Sequence, residues 1–346
     1  MPPLSLPRGI DGRVRFMPPP GFTQWPPVNQ WTDAEWLAWM TQRGYDKAEV
    51  DQFLGHDRYE FGVGFMPTGD RARAHNAHEP GVKWLYTPTP KGVTLHETRN
   101  LDIPNTLWGG SAAGTKSFSA RWEATGECLF SGHDNYRAII IRRELEELRR
   151  SHLDKMEHEA RRINEALGND KAVKVTSQPP VATFTLTGAK IIFGHASEDN
   201  SELKYLSEEY DLFVGDEATL LRWKQITGIQ SRVRSDTKTN RRGRMILTTN
   251  PGGPSHQECV DHFITKIVSL EQNPMYRAEM YRYIPSSLYD NMFMMDSDGT
   301  FSAYERRLYM LDPNRRRQLL EGDWGAIVNQ FFTNFDAAKH VRASVA

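Results

Sequence analysis

The fold of this chain is decided by the stretch Thr106-Leu107-Trp108-Gly109-Gly110-Ser111-Ala112-Ala113-Gly114-Thr115-Lys116-Ser117. A short apolar run leads into small residues, and a stretch of helical character (Phe118 to Ala124) follows, which predicts a strand, a loop and a helix in that order. Counted from Gly110, the loop has the phosphate-loop pattern, with Thr115 where a second glycine is usual. An ordinary glycine-rich turn between a strand and a helix is the alternative interpretation.

Small residues in such a loop let backbone N–H groups wrap a triphosphate, and the N-terminus of the following helix adds a favourable dipole. We therefore expect Lys116 to reach the β- and γ-phosphates and the Ser117 hydroxyl to ligate Mg²⁺. Thr115 departs from the pattern, because a β-branched residue resists positive φ. The expected nucleotide-binding residues of the loop are Gly110, Ser111, Ala112, Ala113, Gly114, Thr115, Lys116 and Ser117.

Further apolar runs outside this loop predict the rest of a sheet. Ala138–Ile141, Leu212–Val214 and Met245–Leu247 are typical of buried strands, and a charged helix is predicted from Glu144 to Ala166. Two β-branched runs between Thr183 and Phe193, around Thr187-Gly188, predict a hairpin. Buried strands alternating with helices imply an α/β fold with a mostly parallel central sheet flanked by helices, the three-layer phosphate-loop NTPase fold.

Polar residues follow two of these strands. Asp216 ends the run that begins at Leu212 and could hold Mg²⁺, while Glu217 could orient or deprotonate an attacking water. A helix cap before Ala218 is the alternative interpretation of this acidic pair. Thr249 and Asn250 end the third strand and could sense the γ-phosphate, although a strand stop with a Pro-Gly turn needs no function.

The composition excludes several classes of protein. The 346 residues carry 43 Lys+Arg against 44 Asp+Glu, a formal net charge of −1, with 38% hydrophobic and 25% charged residues. These values fit a globular protein and not a highly basic coat for nucleic acid, although a local basic patch is compatible with them. Two distant cysteines cannot make a disulfide-dense scaffold. No apolar run approaches the roughly 18 residues of a membrane span, so we expect a soluble intracellular protein.

The chain divides into three predicted parts. Residues 1–80 form an N-terminal arm that is irregular except for one or two short helices between Trp31 and Leu54, with Thr32 as a candidate cap. Residues 81–325 form the phosphate-loop domain, and residues 326–346 begin a linker.

The stretch from Ser231 to Arg244 is the most basic part of the sequence. It holds six basic residues against Asp236 alone, a local charge of +5, and could neutralise DNA phosphates without reading bases. A solvated loop between strands is the alternative interpretation. The basic residues are Arg232, Arg234, Lys238, Arg241, Arg242 and Arg244. The run Arg315-Arg316-Arg317 is interpreted as surface charge.

Taken together, these motifs resemble the ATPase domain of the large terminase subunit of tailed bacteriophages, from about Thr87 to Val341. The individual stretches are ordinary, but their order is fairly specific. The resemblance rests on Leu107–Ser111 leading into Lys116-Ser117, Tyr210–Thr219, Leu247–Pro254, Leu319–Trp324 and Gln330-Phe331-Phe332.

The resemblance implies a role for each matching residue. Lys116 and Glu217 would be catalytic, Ser117 and Asp216 would hold the metal, and Thr249 with Asn250 would couple hydrolysis to DNA movement. Arg142 or Arg143 stands where the family can place an arginine that stabilises transition-state charge, the alternative being a solvated helix start. Tyr86 and Pro88 lie in the segment that contacts adenine, where Gly92 replaces an expected Gln.

The resemblance also implies a function. On this resemblance, the chain would be a DNA-dependent ATPase that uses ATP and Mg²⁺ to translocate double-stranded viral DNA into a procapsid, as part of a homo-oligomeric ring. Its implied partners are double-stranded DNA, the small terminase subunit and the portal protein, in the host-cell cytoplasm with transient docking at the procapsid portal. A helicase-like phosphate-loop ATPase and a non-catalytic DNA-binding or assembly module with a decayed loop are the alternatives.

Terminases of this family usually carry a second, nuclease domain after the ATPase domain. Here 22 residues follow Trp324, too few for a domain, and Asp336 alone cannot make a two-metal site. We therefore expect no nuclease activity from this chain.

Overall fold

The structure is a computed structural model that describes residues 7–8, 14–26, 28, 31–55, 86, 88–101, 103–236, 241–269, 271 and 273–326. Within these residues, eight strands form one sheet in the order β3-β4-β5-β2-β6-β7-β1-β8. The strands are β1 (Asn105–Gly110), β2 (Arg137–Arg142), β3 (Val173–Ser177), β4 (Pro180–Phe184), β5 (Lys190–His195), β6 (Leu212–Asp216), β7 (Arg244–Thr249) and β8 (Tyr281–Ser286).

Most of the sheet is parallel. The strands from β5 to β8 in the sheet order pair in parallel, whereas β4 pairs antiparallel with both β3 and β5. The turn between β4 and β5 contains Thr187-Gly188, so the predicted hairpin is confirmed. Parallel neighbours need crossover connections, and helices supply most of them.

The helices lie along the chain between the strands. Those of α type are α1 (Asp33–Arg43), α2 (Lys47–Gly55), α3 (Pro90–Glu97), α4 (Lys116–Phe130), α5 (Leu145–Leu148), α6 (Asp154–Ala166), α7 (Trp223–Gln230), α8 (His256–Cys259), α9 (Ser302–Leu308) and α10 (Pro313–Arg316). Five-residue π turns follow α5, α8 and α10, at Arg149–Leu153, Val260–Ile264 and Arg317–Glu321. Short 3-10 turns lie at Thr98–Asn100, Ser201–Tyr205, Ala218–Leu220, Ala278–Met280, Leu288–Asp290 and Met292–Met294. No helix in the described part of the chain is long and apolar enough to cross a membrane.

Helices cover both faces of the sheet. On one face, Ile140, Val214 and Ile246 pack with Trp122 of α4 and Met156 of α6 in a single buried cluster. The alternate residues of the same strands pack on the other face, against α7 and the turn after α8. The predicted three-layer α/β fold is therefore confirmed.

A third buried cluster joins the N-terminal arm to the C-terminal part of the described chain. Phe16 is fully buried, and its ring lies 6.0 Å from the ring of Phe301 at an angle of 70°. Trp31, Trp36 and Trp39 extend this cluster toward α1, whose N-cap is Thr32 as predicted. The predicted boundary near residue 80 lies outside the described residues, and so does the predicted linker (residues 326–346) apart from Ala326.

Candidate functional site

The parallel register brings three of the predicted motifs to one edge of the sheet. Asp216 of β6 is opposite Thr248 of β7, and Thr249 of β7 is opposite Gly109 of β1. Carboxyl ends of parallel strands meet at the same edge, where ligands of open α/β sheets bind. The phosphate loop, the acidic pair and the Thr249-Asn250 pair are therefore neighbours.

The phosphate loop has the backbone that its pattern predicts. Ala113 and Thr115 both adopt φ near +60°, and Thr115 is the N-cap of the 15-residue helix α4. Thr115 thus occupies a left-handed conformation in spite of its β-branched side chain. The first turn of α4 leaves N–H groups without intrahelical acceptors, which suits an anion.

Lys116 lies across this loop. Its Nζ donates hydrogen bonds to the carbonyl oxygen of Ser111 and, at 3.1 Å, to Oδ1 of Asn250. Burial lowers the pKa of Lys116 to about 8, although the charge of Asp216 opposes this shift. A buried ammonium beside the N–H groups of the first helical turn is a site for negative charge.

Ser117 and Asp216 are in direct contact. The Ser117 hydroxyl donates to Oδ1 of Asp216 at 2.6 Å, and the Thr248 hydroxyl donates to the same oxygen at 2.6 Å. The two residues predicted to hold Mg²⁺, 99 positions apart in the sequence, therefore lie side by side.

His152 is a residue of this site that the sequence did not indicate. It is fully buried in the π turn between α5 and α6, and its Nε2 lies 2.8 Å from Oδ2 of Asp216. Burial alone would raise the pKa of Asp216, but His152, Arg142 and Ser117 together hold that pKa well below its usual range. The carboxylate is thereby kept ionised.

Arg142 and Arg143 have different surroundings. Arg142 ends β2, forms an ion pair with Oε1 of Glu217, and places Nη1 3.7 Å from Oδ2 of Asp216. Arg143 is 46% exposed and pairs with Glu144 at 3.3 Å, away from the acidic pair. The structure brings Arg142 to the acidic pair and leaves Arg143 on the surface, so a catalytic role for Arg143 stays a prediction.

Glu217 adopts a left-handed conformation, with φ of +50°. Its side chain is 32% exposed, so it can meet solvent. Burial raises the pKa of Glu217, and the Arg142 guanidinium counteracts part of that rise.

Thr249 and Asn250 lie between the phosphate loop and the turn that follows Glu217. The hydroxyls of Thr249 and Thr219 lie 2.6 Å apart, and Thr219 also donates to the carbonyl oxygen of Asn250 at 2.9 Å. Thr219 lies two residues after Glu217, and Asn250 accepts from Lys116. The arrangement gives a continuous path of hydrogen bonds from Lys116 to the turn of Glu217.

The segment from Ser286 to Gly322 is hydrogen-bonded to the phosphate loop, a contact that the sequence did not indicate. The N–H of Ser111 donates to the Ser286 carbonyl at 2.9 Å, and the N–H of Ala112 donates to the Leu319 carbonyl at 2.8 Å. The amide of Asn291 donates to the carbonyl oxygen of Ala113 at 2.5 Å. We call residues 286–322 the clamp segment.

Tyr86 and Pro88 are buried and offer no surface to a nucleotide in this conformation. The Tyr86 ring stacks on Trp122 at 5.3 Å, and its hydroxyl lies 3.0 Å from Nε2 of His96. A Cβ placed on Gly92 would lie 3.2 Å from Pro88, Ser119 and Tyr86, so a Gln there would need its neighbours to move. The absence of that Gln thus has a packing reason.

The basic stretch is largely neutralised by neighbouring acids. Arg232 and Arg234 lie 4.0 and 3.3 Å from Oε1 of Glu209, and Arg241 lies 3.3 Å from Asp211. Arg242 is exposed, and Lys238 lies outside the described residues.

Arg244 corrects the sequence prediction. It is only 5% exposed, and its Nη1 lies 2.6 Å from Glu123 and 3.2 Å from Glu127. Arg244 is the first residue of β7, and its side chain is buried against α4, which carries both glutamates. Arg244 is therefore not part of a DNA-binding surface.

The fold and the loop geometry define the class of this protein: it has the phosphate-loop NTPase fold. Three features mark that fold. They are a mostly parallel sheet, a loop with left-handed residues that leads into a helix, and an aspartate at a strand end that is hydrogen-bonded to the loop serine.

Within that class, solved structures of large terminases have a fold similar to that of this chain. The large terminase from a thermophilic bacteriophage matches with a TM-score of 0.52 and 15% identity, covering 68% of this chain and 53% of that chain. The same terminase in complex with ADP matches with a TM-score of 0.51, 15% identity and the same coverage. No protein-family model matches the sequence, and no curated protein does.

These matches confirm the resemblance to large terminases at the level of the fold. The chain spans about half the length of the thermophilic-phage terminase that it matches.

Proposed function

We propose that this chain is the ATPase of a DNA-packaging motor of the large-terminase type, which hydrolyses ATP to move double-stranded DNA into a procapsid. One observation carries the proposal: the Ser117 hydroxyl of the phosphate loop donates at 2.6 Å to Asp216, and Glu217 follows directly. The ADP complex of the structurally similar thermophilic-phage terminase supports a nucleotide as the ligand.

The residues present fit Mg²⁺. Ser117 and Asp216 offer a hydroxyl and a buried carboxylate whose lowered pKa keeps it ionised, and oxygen ligands of this kind are those that Mg²⁺ prefers. Bound there, the ion would neutralise charge on the β- and γ-phosphates.

The other side chains supply binding and proton transfer. The Lys116 ammonium exchanges its bonds to Ser111 and Asn250 for phosphate oxygens. Glu217 accepts the proton of the attacking water, and its raised pKa makes it a stronger base than an exposed glutamate. Arg142 leaves Glu217 and stabilises the charge on the transferred phosphoryl group.

Lys116→Ala and Glu217→Gln variants of the full chain test this assignment. We expect Lys116→Ala to lose ATP binding, and Glu217→Gln to keep binding while hydrolysis falls about 100-fold or more. Lys155→Ala, an exposed lysine of α6, is the matched control and should hydrolyse ATP as the unaltered chain does. Undiminished hydrolysis in Lys116→Ala would contradict the proposal, and no affinity for Mg·ATP at all would favour a non-catalytic module.

The motor role has its own test. We propose that the small terminase subunit, the portal protein and further copies of this chain in a ring are its partners in the host-cell cytoplasm. Stimulation of ATP hydrolysis by double-stranded DNA, and ATP-dependent protection of DNA inside procapsids, are the expected results. The absence of nuclease activity stays a prediction, which incubation of supercoiled DNA with the chain and Mg²⁺ checks.

A further inference from the structure

The end of the clamp segment carries an exposed arginine-rich surface. Arg306 and Arg307 of α9 are exposed, and so is Tyr309, at 60%. The guanidinium carbon of Arg316 lies 4.8 Å from the centre of the Tyr309 ring. We call Arg306, Arg307, Tyr309 and Arg316 the arginine surface.

The acids around this surface do not neutralise it. Glu305 is buried and accepts a 2.5 Å hydrogen bond from Tyr289, on the inner side of α9. Asp312 caps α10 by accepting from the backbone N–H of Arg315 at 2.9 Å. Within the described residues, Arg306, Arg307 and Arg316 form no ion pair.

This surface differs in that respect from the basic stretch between Ser231 and Arg244. There Arg232 and Arg234 share the carboxylate of Glu209, Arg241 pairs with Asp211, and Arg244 is buried. A polyanion would have to displace those carboxylates, whereas the arginines of α9 and α10 are available without such a loss.

The arginine surface is also joined to the nucleotide site. Three residues beyond Arg316, Leu319 accepts the N–H of Ala112 in the phosphate loop. A Cβ placed on Gly252, in the turn after Asn250, would lie 3.3 Å from Gln318 and 3.6 Å from Nη1 of Arg315. The residues on either side of Arg316 therefore lie against both the phosphate loop and the turn after Asn250.

We propose that the arginine surface binds the phosphodiester backbone of double-stranded DNA. Guanidinium groups match phosphate oxygens in two-pronged hydrogen bonds. The Arg316 guanidinium is available for such bonds because it lies against the exposed Tyr309 ring and not against a carboxylate in the described part of the chain. Phosphate contacts carry no sequence information, which a motor that moves along any DNA requires. The inference rests on the proposed function for the identity of the polyanion and adds the surface that contacts it.

Binding of short DNA duplexes to the full chain, followed by fluorescence anisotropy from about 50 to 200 mM salt, tests this inference. The variant is Arg306→Gln/Arg307→Gln/Arg316→Gln. We expect weaker binding and a log K against log salt slope that is shallower by about 2 to 3, since each neutralised phosphate contributes about 0.9. Two duplexes of unrelated sequence should respond alike.

A matched control removes the same charge elsewhere. Lys155→Gln/Lys171→Gln/Lys174→Gln replaces three exposed lysines, one in α6, one just before β3 and one in β3, and should leave the slope within experimental error. The inference is overturned if both triple variants show the same slope, if the unaltered chain does not bind duplex DNA, or if the arginine variant changes only self-association in sedimentation. ATP hydrolysis measured both with and without DNA separates the two proposals: its absence under both conditions in the unaltered chain contradicts the ATPase assignment, whatever the DNA slope.

Discussion

Arg142 and Arg143 are adjacent in the sequence, but only Arg142 contacts the acidic pair. Arg142 forms an ion pair with Glu217 and is 12% exposed, whereas Arg143 is 46% exposed and faces Glu144. We expect Arg142→Ala to lower kcat by about 10²- to 10³-fold, because a charge aimed at the transition state is lost, and Arg143→Ala to leave kcat nearly unchanged. Steady-state hydrolysis at saturating ATP measures both, and an equal loss in the two variants would remove Arg142 from the mechanism.

Lys116 gives the site a dependence on pH. Burial lowers its pKa to about 8, so above that pH the nucleotide-free protein loses the ammonium that a triphosphate needs. ATP favours the charged form; affinity should therefore fall as the pH rises through 8, approaching about tenfold per pH unit, with a proton taken up on binding. Titration calorimetry in two buffers of different ionisation enthalpy measures that proton. Affinity that stays level between about pH 7 and pH 9 would show that Lys116 is charged throughout.

At the scale of elements, sequence patterns predicted the strands that are buried and missed those at the edges. β2, β6 and β7 are continuous apolar runs because helices cover both faces. β8 reads Tyr281-Arg282-Tyr283-Ile284-Pro285-Ser286, with charge and a proline that an edge strand tolerates and a central strand does not. β3, at the opposite edge, is equally polar. An edge strand forms because it pairs with its one neighbouring strand, and the local sequence pattern carries no information about that neighbour.

The site was predictable only where residues adjoin a strand end. Lys116, Ser117 and Asp216 follow apolar runs, so chain order alone placed them at one edge of the sheet. His152 lies in a π turn of a charged helix and meets Asp216 across 64 positions, without a local signal. The clamp segment, likewise, contacts the loop through backbone carbonyls of Ser286 and Leu319, which any residue type can supply.

Arg244 stabilises the start of β7. Its guanidinium is the buried partner of Glu123. Burial would raise the pKa of Glu123, but Arg244 and His96 lower that pKa to about 2. Arg244→Met leaves this carboxylate without its cation, and we expect the free energy of unfolding to fall by about 3 to 5 kcal/mol. Chemical denaturation at neutral pH measures the change. Arg234→Met, which breaks only the exposed pair with Glu209, should cost less than about 1 kcal/mol. A stable Arg244→Met protein that binds DNA weakly would restore Arg244 to the DNA-binding residues.

At the scale of the whole molecule, the arm supports the nucleotide site from a distance. Phe16 and Trp25 of the arm pack in one buried cluster with Leu288, Phe301 and Leu320 of the clamp segment. The backbone of Phe16 also bonds to Gly299, at 2.9 Å. Because the clamp segment in turn holds Ser111, Ala112 and Ala113, the position of the phosphate loop depends on residues about 100 positions before it.

Phe16→Ala tests that dependence. Removing a fully buried ring should lower the free energy of unfolding by about 3 to 5 kcal/mol, and a loosened clamp segment should also weaken nucleotide binding. Thermal unfolding with and without Mg·ADP separates the two effects, since the ligand raises Tm less when its site is less well formed. Phe22→Ala, in the same arm but 48% exposed, is the matched control and should change neither quantity appreciably. If Phe16→Ala lowers Tm but keeps the full stabilisation by Mg·ADP, the arm stabilises the fold without positioning the loop, because the clamp segment then holds Ala112 and Ala113 without it.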